Sequence, residues 1–279
     1  MGFCCHLHGA LHRDGMKFYF VGGHDLDMPQ PINKIVPNPR VILDTDVLGQ
    51  QPDLAILVVK IFAVWANIER RLSVLLVHLL GADQVHAHAI FSILQTQALQ
   101  TKALEAAAKS ALSPDDLDIF DAALTVISGV QKTRNRLAHW AWGKCHQRPD
   151  LLVLADPDGL KNWDTRTAAY FQALKPGETT FWGALMGPPI FDISKFYGYS
   201  KTDLEREVRD LLEAEQIAFF LQNYLDTAFA VAHAKLFHES ENPEEIRALV
   251  LRQLNEKRLF AEALVQIRAR RKSTPQLDE

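Results

Sequence analysis

The run Lys132-Thr133-Arg134-Asn135-Arg136-Leu137-Ala138-His139-Trp140 puts a permanent cation and a titratable imidazole close together on one predicted helix. Arginine stays charged at any working pH and can fork onto a phosphate, and histidine has an ordinary pKa near neutrality. Together they suit cleavage of a phosphodiester without a metal. At about 100° per residue, Asn135 and His139 share a helix face, whereas Arg134 points about 140° away from His139 before its long side chain bends. The spacing therefore predicts Arg134 on the phosphate, His139 moving a proton and Asn135 orienting the ring. Lys132, Arg136, Lys144 and Arg148 add local positive charge around them. Trp140 and Trp142 either stack on an unpaired base or pack in the core. Glu69, beside Arg70 and Arg71, is either part of a solvated break in an apolar helix or a carboxylate that steadies Arg134.

Arg-Asn, three further residues and His, late in the third of several long predicted helices, resemble the RNxxxH signature of HEPN domains. The resemblance covers roughly residues 50 to 240. It implies an α-helical bundle that usually dimerises. Many members are metal-independent endoribonucleases of toxin, abortive-infection and RNA-processing systems, and others have lost catalysis. On that implication Arg134, Asn135 and His139 form the catalytic set, with Lys132, Arg136, Trp140 and Lys144 binding substrate and Glu69 in support. The expected partners are RNA, a second copy of the chain and an antitoxin or other protein. No cofactor and no metal are called for. The alternative is a non-catalytic bundle that binds RNA or a nucleotide, or serves as a scaffold.

The composition narrows the field. With 279 residues, of which 48% are hydrophobic and 23% charged, the chain has ample material for a packed core. A net charge of −4 argues against a protein that coats nucleic acid with its whole surface, which leaves only local basic sites. Besides the motif, the run Arg268-Ala269-Arg270-Arg271-Lys272 is one. Three cysteines make no disulfide framework, and with no signal-like apolar run this predicts a reducing, cytoplasmic setting. The longest apolar stretches are broken by Lys60, Glu69, Arg70 and Arg71, so no membrane span is expected. Cys4, Cys5, His6 and His8 are too crowded for usual zinc spacing. His78, His86 and His88 lack paired ligands at metal spacing, and a helix stop at Gly143 would keep His139 from Cys145 and His146.

The elements that must position the motif follow from periodicity and end signals. The fold class is mainly α: a HEPN-like helical bundle with a small β-containing insertion between the third and fourth long helices. Residues 1–47 read as an irregular leader broken by Pro29, Pro31, Pro37 and Pro39, with short strands at 18–21 and 41–43. The bundle spans 48–240. Its first helix runs from Pro52 to Leu80 and stops at Gly81, with Ile56, Val59, Phe62, Val64, Ile68, Leu72, Leu75 and Leu79 at helical spacing. Asp83 caps a second helix to about Leu112, and Ser113-Pro114-Asp115-Asp116 opens the third, which carries the motif to about Gly143. Within an insertion at about 144–200, Leu151–Leu154 and Phe196–Tyr199 read as strands. Thr202-Asp203-Leu204-Glu205 is a capping-box pattern opening a fourth helix to about His238. Residues 241–279 form a C-terminal helix, opened by Asn242-Pro243, and a basic tail.

Overall fold

In the computed structural model, residues 29–94, 96–173, 190–226, 231 and 242–273 are described. The expected strand at 18–21 and the group Cys4, Cys5, His6 and His8 lie outside them. The described chain begins with β1 (Gln30–Pro31), one helical turn, α1 (Ile32–Ile35), and β2 (Val41–Leu43). The helices α2 (Pro52–Leu80), α3 (Gln84–Ile93), α4 (Gln97–Ala111) and α5 (Pro114–His139) follow, then β3 (Ala141–Cys145) and β4 (Arg148–Ala155). After α6 (Pro157–Ala173) and a 3-10 turn at Ile193–Lys195 come β5 (Phe196–Tyr199), α7 (Lys201–Leu225), α8 (Pro243–Asn255) and α9 (Arg258–Ser273). The protein is mainly helical, with one antiparallel sheet in the order β1-β5-β4-β3-β2.

Strong end signals place the long helices. Pro52 starts α2, and Gly81 ends it in the left-handed conformation at φ 57°, where its amide donates to the His78 carbonyl. Ser113 caps α5 by accepting from the Asp116 amide, with Asp115 and Asp116 at the positive end of the helix. Where side-chain contacts decide, the boundaries move. The stretch expected as one helix from 83 to 112 divides, because the Thr96 hydroxyl accepts from the Leu99 amide and starts α4 afresh. The capping box belongs to Ser200 and Asp203 rather than to Thr202 and Glu205. The C-terminal helix also divides, and the Glu213 carboxylate caps the second part through the Leu259 amide at 2.7 Å. Helix α6 has no counterpart among the expected elements.

The motif helix stops at His139, four residues short of Gly143. Trp140 turns extended, and the Trp142 indole reaches back to donate to the Leu137 carbonyl at 2.9 Å, satisfying a helix-end acceptor and directing the chain into β3. Gly143 is then a strand residue paired with Leu43, and a Cβ there would meet the Ile42 carbonyl oxygen at 2.6 Å. Close strand approach is what it permits. The sheet therefore draws β1 and β2 from the N-terminal segment and is not confined to an insertion after α5.

Strand β4 reads as an unbroken apolar run because both of its faces are buried. Leu152 and Leu154, with Tyr199 of β5, join the main core made by α2, α5, α7, α8 and α9, to which α3 adds Phe91 and α4 adds Leu104. Leu151, Val153 and Ala155 face a second core with Ile32, Val36, Cys145 and Phe196, flanked by Leu160 of α6. Helices α2 and α7 form the main helical pair, tied by Arg71 to Glu215 at 2.8 Å. Along α2 the buried apolar set is Leu54, Val58, Ile61, Val64, Trp65, Ile68, Leu72, Leu75, Leu76 and Leu79, while Ile56 and Val59, expected among the core spacing, stand 66% and 65% exposed. The first turns of α2 carry more apolar residues than one face can bury.

Candidate functional site

Arg134 is half-buried on the motif helix. The guanidinium lies against the aromatic rings of α2, 6.0 Å from the centroid of Phe62 and 5.9 Å from that of Trp65. Arg134 Nη1 donates to the Asn135 carboxamide oxygen at 3.1 Å. Asn135 thus engages Arg134, the residue before it, rather than the imidazole one turn later. Arg134 Nε is buried and has no hydrogen-bond partner. Glu69 does not supply one: its carboxylate accepts from Gln97 Nε2 at 3.4 Å, and its neighbour Arg71 is committed to Glu215.

His139 is exposed in the last turn of α5 and has no hydrogen-bond or ion-pair partner among the described residues. Lys132 is exposed as well, at the edge of a cleft of about 580 Å³ that it shares with Lys109, Glu105 and Asp121. Arg136 turns instead onto the sheet, 5.3 Å from the Trp140 ring and 5.6 Å from the Tyr197 ring, which themselves sit 5.4 Å apart. Trp140 packs against the main core while keeping one side half exposed. Lys144 is committed elsewhere, its ammonium donating to Asp44 at 2.8 Å and to Gln50 at 3.0 Å. The hydrogen bond from Lys144, and a further one from the Asp46 amide, hold the Asp44 carboxyl below its ordinary range.

Beneath Arg136 lies a set of titratable groups that the spacing of the motif does not announce. Burial pushes the fully enclosed Tyr199 phenol up to about 12, against the pull of the Arg136 cation. Burial also raises Glu207, although the Thr133 hydroxyl and Arg136 favour its charged form. Asp210, one turn further along α7, is raised by burial too, with Arg258 opposing. Glu207 and Asp210 of α7 and Glu262 of α9 line a cleft of about 350 Å³ against Gly129 and Thr133, so the neighbouring helices place acidic groups beside this uncharged part of α5. The spacing of the motif does not mark Phe62, Trp65, Tyr197 and Glu207 as its neighbours. For the first two a signal existed: Phe62, Trp65 and Glu69 follow each other at three and four residues, which puts them on one face of α2.

The C-terminal basic run is part of the fold, not a free tail. It forms the end of α9, and Arg271 donates to Asp118 and to the Pro114 carbonyl, each at 3.0 Å, at the start of the motif helix. Among the described residues no group of three His, Cys, Asp or Glu side chains is arranged to hold a metal ion, and no helix is long and apolar enough to cross a membrane. Comparison with protein-family models, with curated proteins and with solved structures returned no match, so the chemistry of the site rests on its own residues.

Proposed function

We propose that this chain is a HEPN-like, metal-independent endoribonuclease. The observation that carries the reading is the contrast inside the motif: Arg134 is held by Asn135 and two aromatic rings, while His139 stands free and exposed five residues later. A fixed cation can bind a scissile phosphate and stabilise the charge that grows on it, and an accessible imidazole can carry a proton. In this reaction the ribose 2′-oxygen forms a bond to phosphorus, the bond from phosphorus to the 5′-oxygen breaks, and His139 moves a proton at one of those two oxygens. A 2′,3′-cyclic phosphate and a 5′-hydroxyl result. DNA lacks the nucleophile and stays intact.

A second copy of the chain supplies the other imidazole. Supporting this, Val59 lies exposed one turn before Phe62, and Ile56 one turn before that, so an apolar strip on α2 runs up to the ring beside Arg134. Light scattering at tens of micromolar tests it: the wild type is expected as a dimer and Val59→Glu as a monomer, and a monomeric wild type overturns it. An antitoxin or another protein in a defence system, working in the cytoplasm, completes the proposal.

One observation favours a second reading, an RNA- or nucleotide-binding bundle without catalysis: no side chain among the described residues orients the His139 ring, and general bases are ordinarily held by a third group. Incubation of the purified protein with total RNA and a chelator, beside His139→Ala, separates the two. Cleavage by the wild type alone supports the nuclease, and RNA that is bound but intact supports the binding module.

A further inference from the structure

Among the described residues, two buried side-chain nitrogens have no hydrogen-bond partner, Trp65 Nε1 and Arg134 Nε, and they belong to side chains in contact. Neither nitrogen can accept a hydrogen bond, so they cannot satisfy each other. Burying an unmet donor is costly, and burying two beside a positive charge is more so, unless an acceptor joins them. The rest of the guanidinium agrees. Asn135 occupies Nη1, which leaves the edge formed by Nε and Nη2 without a protein acceptor, and that edge has the fork geometry that matches two oxygens of one oxyanion. Glu69, one turn from Trp65 on α2, accepts from Gln97, and among the described residues no carboxylate pairs with Arg134.

We infer that Trp65 Nε1 and the Nε edge of Arg134 form a two-donor receptor for a phosphate oxyanion, which makes Trp65 a phosphate-binding residue on the helix opposite the motif. This rests on the RNA reading above and adds a residue to it. With the guanidinium carbon 5.9 Å from the Trp65 ring centroid, the two donors belong to neighbouring groups, and the several oxygens of one phosphate can each accept at about 2.9 Å. Phe62, half-buried against the same guanidinium, is the side chain that an entering phosphate displaces. An indole N–H is a neutral donor that stays protonated at every working pH, so Trp65 fixes the phosphate without adding to the charge of the site.

The test uses the full chain labelled with ¹⁵N and titrated with inorganic phosphate, against sodium chloride at equal ionic strength. The chain has five tryptophans, and comparison with Trp65→Phe assigns the Trp65 indole resonance. That resonance is expected to shift with phosphate and not with chloride. Trp65→Phe is expected to weaken phosphate, and an uncleavable 2′-O-methyl oligoribonucleotide, on the order of tenfold, as loss of a hydrogen bond to a charged group implies. A Trp65 resonance that stays still under phosphate, or equal affinity in a folded Trp65→Phe, overturns the proposal and leaves buried water as the acceptor. If Trp65→Phe fails to fold, replacing each of the other four tryptophans with Phe in turn assigns the Trp65 resonance by elimination, and its shift in the wild type decides. A protein that binds phosphate through Trp65 yet leaves RNA whole would refute the nuclease while keeping the receptor.

Discussion

Asn135 Oδ1 accepts a hydrogen bond from Arg134 Nη1 at 3.1 Å, so the carboxamide beside the motif arginine holds the guanidinium rather than the imidazole. The backbone explains why. Asn135 and His139 are one turn apart on the same face, but α5 ends at His139, where the chain swings into β3 and leaves the ring in solvent. The short Asn side chain meets its immediate neighbour first.

Asn135→Ala should therefore act through Arg134. It is expected to slow RNA cleavage by about tenfold, the effect of removing one hydrogen bond to a charged group, and less than Arg134→Ala does. Parallel single-turnover rates check this, and an Asn135→Ala effect equal to that of His139→Ala would return Asn135 to the imidazole.

The two lysines near the motif should separate. Lys132 is exposed and free to meet a phosphate, whereas Lys144 is bound to Asp44 and Gln50. Lys132→Ala is expected to lower the salt slope of single-stranded RNA binding by about 0.7, and Lys144→Ala to leave it unchanged. The slopes of log affinity against log salt measure both.

Much of the frame was legible because its signals are local. Pro52, Gly81, Ser113-Pro114 and Asn242-Pro243 fix helix ends through caps that need only a few neighbouring residues. What stayed hidden depends on distant partners. The stop at His139 needs the Trp142 indole on Leu137, and the strand role of Gly143 needs β2, about a hundred residues earlier. Within the candidate site, residue types and spacing marked Arg134 and His139. They could not show that Lys144 is spent on Asp44, that Glu69 turns to Gln97, or that Trp65 lies beside Arg134.

Gly143 provides a check on the sheet. A methyl group there meets the Ile42 carbonyl at 2.6 Å, a backbone atom that cannot swing aside. Gly143→Ala is expected to destabilise the protein by about 1–3 kcal/mol, the usual range for overpacking a tight contact. Denaturant melts read it, and an unchanged midpoint would remove β2 from the sheet.

Two carboxylates should give opposite pH signatures. Burial tends to raise Asp116, but hydrogen bonds from Tyr224, Ser113 and Arg247 outweigh it and hold the carboxyl below its ordinary range. A depressed folded-state pKa contributes stability above the unfolded value, which is lost as pH falls through the folded one. Asp116→Asn should thus lower the Tm at pH 7, with the difference shrinking in acid. Glu207 is raised by burial, so its contribution is present below the unfolded value and is lost as pH rises through the folded one. Glu207→Gln should gain on the wild type in Tm between pH 4 and pH 8. Thermal melts across that range decide both signs.

The most direct test of the proposed chemistry is a defined RNA that the protein cleaves at one position, prepared a second time with a single 2′-deoxynucleotide 5′ to that bond and incubated in chelator. The expected result is a 2′,3′-cyclic phosphate end from the all-ribose strand and no cut at the deoxy position, with a loss on the order of 10²- to 10⁴-fold in folded His139→Ala. Cleavage at the deoxy position, cleavage that vanishes with chelator, or full activity in folded His139→Ala would contradict the assignment of Arg134 and His139 as a metal-independent ribonuclease centre.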